Sequence, residues 1–206
     1  MVAQQVAARG VRDPRVLAAL RAVPRHRFVP EPQRPRAYDD TPLPLGDGQA
    51  ISQPYIVALM SELAAIQPGD RVLEVGTGSS YQTAILAELT PPGQVYTIEI
   101  IPMLAVGARA TLDALGYPAI HTRIGDGAAG WPDAAPFHAI LVTAATPHVP
   151  QPLEDQLAPG GRLVLPVGPS GVSQTLRVLT KAPDGQLTPR DVLPVSFVPL
   201  LRAAPE

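Results

Sequence analysis

Val72-Leu-Glu-Val-Gly-Thr-Gly-Ser-Ser80 decides the fold, together with Glu99, twenty-three residues beyond Gly76. An apolar run ends in a glycine turn, a helical pattern follows from Ser80 to Leu89, and a second apolar run, Val95–Glu99, closes on an acid. Strand, turn, helix and strand make one crossover unit of a parallel sheet. In a doubly wound sheet the first turn is where the backbone comes close to a ligand. A carboxylate ending the next strand is placed to accept from ribose hydroxyls. The stretch therefore points to a nucleoside-type cofactor.

Outward from this unit the alternation continues. Strands are expected at Arg71–Val75, Val95–Glu99, Ile120–Ile124, Ala139–Thr143 and Arg162–Val167, with helices at Ser80–Leu89, Met103–Leu115 and Pro150–Leu157. That pattern requires a mainly parallel sheet with crossover helices. The tail reads differently. Thr175–Thr180 and Val192–Val198 are β-rich and joined by Pro183-Asp184-Gly185, a turn signal, so they predict an antiparallel edge. Upstream, Asp13-Pro14 reads as a helix cap followed by proline in the first turn. Pro24 to Pro44 reads as an ordered arm. A further helix is expected after Pro54, where Ile56, Leu59, Met60 and Leu63 repeat at helical spacing.

Composition narrows the function. The 206 residues suit one domain, expected as an arm and substrate loop over 1–53 and an α/β core over 54–206. A net charge of -2 with no basic stripe argues against a nucleic-acid partner. The absence of cysteine removes disulfides and thiol chemistry, and the four scattered histidines show no metal spacing, so no metal is expected. No apolar stretch suits a secretory signal or a membrane span, so a cytoplasmic protein is expected.

A dinucleotide fingerprint needs a third glycine, and Tyr81 stands in its place. Glu74 to Gly78, E-x-G-x-G, instead resembles the first motif of class I S-adenosylmethionine methyltransferases, whose cofactor has no phosphate to cradle. On this reading Gly76, Thr77, Gly78 and Ser79 form the cofactor loop, and Glu99 takes the ribose. Asp126, beside Gly127, accepts from the adenine amino group. The plainer alternative, tight turns and solvated acids, loses weight because acids end the next two strands.

The resemblance sharpens upstream. Pro42-Leu-Pro-Leu-Gly46 and Gly48-Gln-Ala-Ile-Ser-Gln-Pro-Tyr55 are similar to the signature of protein-L-isoaspartate O-methyltransferases. The likeness continues through Arg25-His-Arg-Phe-Val-Pro30, Val142-Thr-Ala-Ala145, Pro166-Val-Gly168 and Phe197-Val-Pro-Leu200. It implies a Rossmann-like class I fold with an N-terminal helical arm. The implied activity is methylation of the α-carboxylate of L-isoaspartyl residues in damaged proteins and peptides, with S-adenosylhomocysteine as the other product. A monomer is expected.

By the same resemblance Gln49, Ala50 and Ile51 join the cofactor site, and Ser52 donates to the substrate carboxylate. Thr143, Ala144 and Val198 are implied on the substrate side. Ser52 has a rival reading as the cap of the helix after it. Asp39-Asp40 read as structural or solvated, since neighbours on an extended chain point apart, and His138 as a strand residue, since methylating a carboxylate removes no proton. Two alternatives stay open: the same scaffold acting on aspartate of a dedicated peptide or on a small acid, and a cofactor-binding module without turnover. The second is motivated by Ser80, which stands where the family commonly has glycine. If that position needs positive φ, serine costs about 1 kcal/mol there, and weaker cofactor binding is expected.

Overall fold

A computed structural model describes residues 1–46, 48–169 and 171–203. Helix α1, Pro14–Ala22, opens as its sequence dictates, with the Asp13 carboxylate accepting from the Arg15 N–H and Pro14 in the first turn. Two short 3-10 turns, Arg25–Phe28 and Glu31–Arg36, carry the proline-rich arm, and Phe28 packs edge-on against Tyr81. Strands β1, Leu43–Gly46, and β2, Gln49–Ile51, form a small antiparallel hairpin that leads into α2, Pro54–Ala64.

The α/β core then follows: β3 Arg71–Val75, α3 Tyr81–Leu89, β4 Gln94–Glu99, α4 Pro102–Ala114, β5 His121–Ile124 and β6 Phe137–Val142. Helix α5, Gln151–Asp155, precedes β7 Leu157–Val167, β8 Gln174–Lys181 and β9 Leu187–Val195. The seven-stranded sheet has the order β5-β4-β3-β6-β7-β8-β9. Its first five strands are parallel, while β8 runs antiparallel to β7, and β9 to β8. The chain walks outward from β3 to β5 and then returns to β6. The strand order therefore reverses between β3 and β6, and a crevice opens there at the strand ends.

Period-two alternation explains the apolar runs. Val72, Ala139, Leu141 and Val164 face one side of the sheet, with the buried residues of α1 to α4. Leu73, Val75, Ile140, Val142 and Leu163 face the other, against Leu153 of α5. Both faces are covered, so the central strands are apolar throughout. Truncating one of these side chains, Ile140→Ala for example, costs about 2–5 kcal/mol.

Most boundaries fall within two residues of the expected ones, and two regions depart further. The helix expected to reach Leu157 stops at Asp155, and β7 starts at Leu157. The cause is Pro159-Gly160-Gly161, which forms a bulge between the Phe137–Leu157 and Ala139–Arg162 pairs; Gly160 sits at φ +80°. At the tail, β9 begins earlier, at Leu187, and ends at Val195. Residues 196–198 leave the sheet, and Ala145 N–H donates to the Val198 carbonyl.

Candidate active site

The glycine turn after β3 is fixed on three sides. The N–H groups of Gly76 and Thr77 both donate to the Ile98 carbonyl, at 2.8 and 3.2 Å. Thr143 Oγ1 donates to the Gly76 carbonyl at 2.6 Å. A Cβ on Gly76 would stand 2.5 Å from that hydroxyl, at φ +96°, so only glycine fits. Glu99 closes the loop from β4. Its Oε2 accepts from Gly78 N–H at 2.8 Å and its Oε1 from Ile101 N–H at 2.9 Å. Held by two backbone donors, this carboxylate is oriented before any ligand arrives.

Beneath the turn lies the fully buried Glu74. Thr83 and Thr97 donate to its Oε2 at 2.5 and 2.6 Å. Thr97 Oγ1 lies 2.6 Å from Thr77 Oγ1. Since Thr97 spends its only hydrogen on Glu74, Thr77 is the donor in that pair. A hydrogen-bond chain thus ties the turn to the core. Burial pushes the Glu74 carboxyl up to about 8, against the pull of the two threonines and with help from the nearby Glu99 charge. Glu74 is therefore mainly a neutral acid at pH 7.

Two connected chambers open at the strand ends. The first is a cleft of about 740 Å³, walled by Gln49, Ala50, Ile51, Ser52, Gly76 to Ser79, Glu99, Gly127, Thr143, Ala144 and Val198. The second is a wider groove of about 1630 Å³, bounded by Arg9, Gln53, Tyr55, Ile56 and the segment Leu193 to Val198. Both volumes reach into open solvent. Ala50, Ser52, Thr143 and Val198 line both chambers, so they mark the junction.

The sequence-derived site residues thus converge on this junction and cleft, except Asp126. Its Oδ1 accepts from Ala128 N–H at 2.9 Å, and its Oδ2 accepts from Arg202 Nε at 2.8 Å and Ala203 N–H at 3.2 Å. The carboxylate expected to meet adenine is instead engaged by the C-terminal segment, because Arg202 brings a cation to it. Gly127 does line the cleft, and a Cβ there would lie 2.3 Å from Val75 Cγ1.

Ser52 does not cap α2. Asp40 Oδ1 accepts from Tyr55 N–H at 3.1 Å, and the residue at the cap, Gln53, makes no side-chain capping bond. His138 accepts from Arg71 N–H at the opposite end of the sheet. Cleft residues without a role in the sequence reading include Val57, Gln82, Ile98, Ile101 and Leu201. The apolar pair Ile100-Ile101, directly after Glu99, was the one local signal for that wall.

Ser80 takes the left-handed conformation, φ +63°, at the start of α3. The condition for strain at that position is met. Its hydroxyl donates to the Ser79 carbonyl at 2.5 Å.

A family model for protein-L-isoaspartate(D-aspartate) O-methyltransferase matches residues 1–204. The chain belongs to that family. Among protein-L-isoaspartate O-methyltransferases it is 54% identical to the one from Gloeobacter violaceus, over all of this chain and 99% of that one. It is 55% identical to the one from Opitutus terrae, over all of this chain and 87% of that one. A solved protein-L-isoaspartate O-methyltransferase superposes with a TM-score of 0.87 at 27% identity, covering 97% of this chain and 65% of that one. A putative family member from Plasmodium falciparum, solved in complex with S-adenosyl-L-homocysteine, superposes with a TM-score of 0.85. At 23% identity over 98% and 97% of the two chains, that second likeness speaks to the fold. It is a class I methyltransferase fold whose last three strands form a simple meander.

Proposed function

We propose that this protein transfers the methyl group of S-adenosylmethionine to the α-carboxylate of L-isoaspartyl residues in proteins and peptides, the step that initiates their repair. One observation carries the reading: Ser52 lines both the cleft that holds the glycine turn and Glu99 and the wider groove beside it. The cleft suits the cofactor on its own geometry. Gly76 and Gly127, where a Cβ would strike Thr143 and Val75, bring bare backbone to the cleft wall, and Glu99 offers a pre-oriented carboxylate to ribose hydroxyls.

Bound there, the cofactor supplies an electrophilic methyl on a sulfonium. The protein's own tasks are positional. Gly76, Thr77, Gly78 and Ser79 shape the cofactor bed, with Gln49, Ala50 and Ile51 across from them. Ser52 donates a hydrogen bond to one carboxylate oxygen and leaves the other free to attack. The acceptor is already ionised near neutral pH, so no general base is needed. Thr143 gives its hydroxyl to the Gly76 carbonyl, which leaves its side chain as a wall; Ala144 and Val198 add the rest. Holding both reactants in line and excluding water provides the rate.

The acceptor is a protein or peptide rather than nucleic acid, in keeping with the net charge of -2. The chain acts as one monomeric unit, the arm and loop of 1–53 on the core of 54–206; Val6, Leu20 and Phe28 of the arm share one apolar cluster with the sheet. Among the described residues no helix is long and apolar enough to cross a membrane, and we place the protein in the cytoplasm. The deciding assay uses labelled S-adenosylmethionine with matched isoaspartyl and aspartyl peptides. Label on the isoaspartyl peptide alone is expected, and label on the aspartyl peptide alone would overturn the reading.

A further inference from the structure

Arg25 is fully buried in the first turn of the arm. Its Nε donates to the Ala37 carbonyl and its Nη2 to the Ser52 carbonyl, each at 2.8 Å. Its Nη1 has no partner among the described residues. The guanidinium carbon lies 4.8 Å from the ring centroid of Tyr81, a wall of the cofactor cleft. Asp40, the acid whose charge reaches Arg25, already serves Arg9, Gln53 and Tyr55 N–H. Burial pulls the guanidinium down to about 10, so it stays charged at neutral pH. A buried cation lacking a contacting anion is costly.

Resting on the function proposed above, we infer that Arg25 is a positioning and specificity residue: it fixes the backbone of Ser52, and its uncompensated charge favours an anionic acceptor over a neutral one at that serine. The substrate carboxylate then supplies the counter-charge that the protein omits. A buried charge is screened little by salt, so the preference persists at high ionic strength.

The test uses the full chain saturated with S-adenosylhomocysteine. Dissociation constants are measured for an isoaspartyl peptide and for the same peptide with the neutral isoasparaginyl group. The wild type is expected to prefer the acid by about tenfold or more. Arg25→Met is expected to bring that ratio close to one while leaving S-adenosylhomocysteine affinity within about twofold. Arg25→Lys, which restores charge without the guanidinium fork, is expected to recover most of the ratio. Equal loss for both peptides in Arg25→Met would reduce Arg25 to a structural role, and an unchanged ratio would also overturn the inference. Should Arg25→Met fail to fold, the wild-type ratio at about 0.1 and 1 M salt decides. A ratio held within about twofold supports the buried charge, whereas its collapse would assign the preference to an exposed cation. Failure of the function itself shows separately, as a wild type that does not methylate the isoaspartyl peptide.

Discussion

Arg202 Nε donates to Asp126 Oδ2 at 2.8 Å, which ties the end of the chain to the loop after β5. Between the two anchors, Leu200 N–H donates to the Ala145 carbonyl at 2.7 Å, and Leu200 and Leu201 wall the cofactor cleft. The C-terminal segment is thus a strap across the chamber, and among the described residues its exposed part is held to Asp126 by the Arg202 side chain and the Ala203 N–H.

Arg202→Ala should release that strap. An exposed pair of this kind contributes up to about 1 kcal/mol, so S-adenosylhomocysteine is expected to dissociate about two- to fivefold faster in stopped-flow measurements. The pH response has a fixed sign. Burial raises the Asp126 carboxyl, but hydrogen bonds from Arg202, Ala128 N–H and Ala203 N–H outweigh it and leave the group below the ordinary value of 3.8. Its contribution is therefore complete above that value and is lost as the pH falls through the folded one. A wild-type dissociation rate in Arg202→Ala would separate the strap from cofactor exchange.

Glu74 gives the opposite trend. Its folded value near 8 lies above the ordinary 4.5, so the native state holds a proton that the unfolded chain releases over that window. Stability is full below pH 4.5 and declines as the pH rises toward 8. Glu74→Gln, neutral at every pH, should flatten that decline. Melting temperatures from pH 5 to 9 check it; parallel curves for the two proteins would refute it.

Ser80→Gly should stabilise the chain slightly. Relief of the left-handed strain, about 1–2 kcal/mol, exceeds the extra flexibility of an unfolded glycine, about 0.5–1 kcal/mol. The net effect is a rise of about 1–3 °C in Tm. Ser80→Val, β-branched at φ +63°, should lower Tm. Calorimetry tests both, and isothermal titration tests the expectation that glycine tightens cofactor binding.

Ser52→Ala removes one hydrogen bond to a charged group, about 1.5–3 kcal/mol. A fall of about 10- to 100-fold in kcat/KM for an isoaspartyl peptide is expected, with S-adenosylhomocysteine affinity unchanged. Equal losses in both would place Ser52 in the fold rather than in the reaction.

The fold was legible because β3 and β4 are mainly apolar runs, the first followed by a glycine and the second ending in an acid. Val72 to Ser80 and Val95 to Glu99 carry their positions in their own pattern. The strand meander was legible from Pro183-Asp184-Gly185. The start of β7 was hidden, since Leu157-Ala158 continues a helical pattern and only the bulge at Gly160 redirects it. In the site, Glu99 could be read because its partners lie within one crossover unit. Asp126 could not, because Arg202 is seventy-six residues away and nothing local announces it. The same limit hid Arg25: a basic residue in a proline-rich arm looks solvated until the tertiary fold covers it. The cap of α2 was also misleading locally, since Asp40 reaches it from across the arm.

The departure of residues 196–198 from the sheet has a consequence for biosynthesis. Synthesis runs from the N-terminus, so Ser52, the glycine turn and Glu99 all emerge well before Val198. A chain released early, at Val195, carries Ser52, the glycine turn and Glu99, yet lacks Val198, which lines both chambers, and Leu200 and Leu201, which wall the cofactor cleft. Copies cut short there are therefore poor binders of acceptor and cofactor alike, and the site is complete only once the segment after β9 has been made.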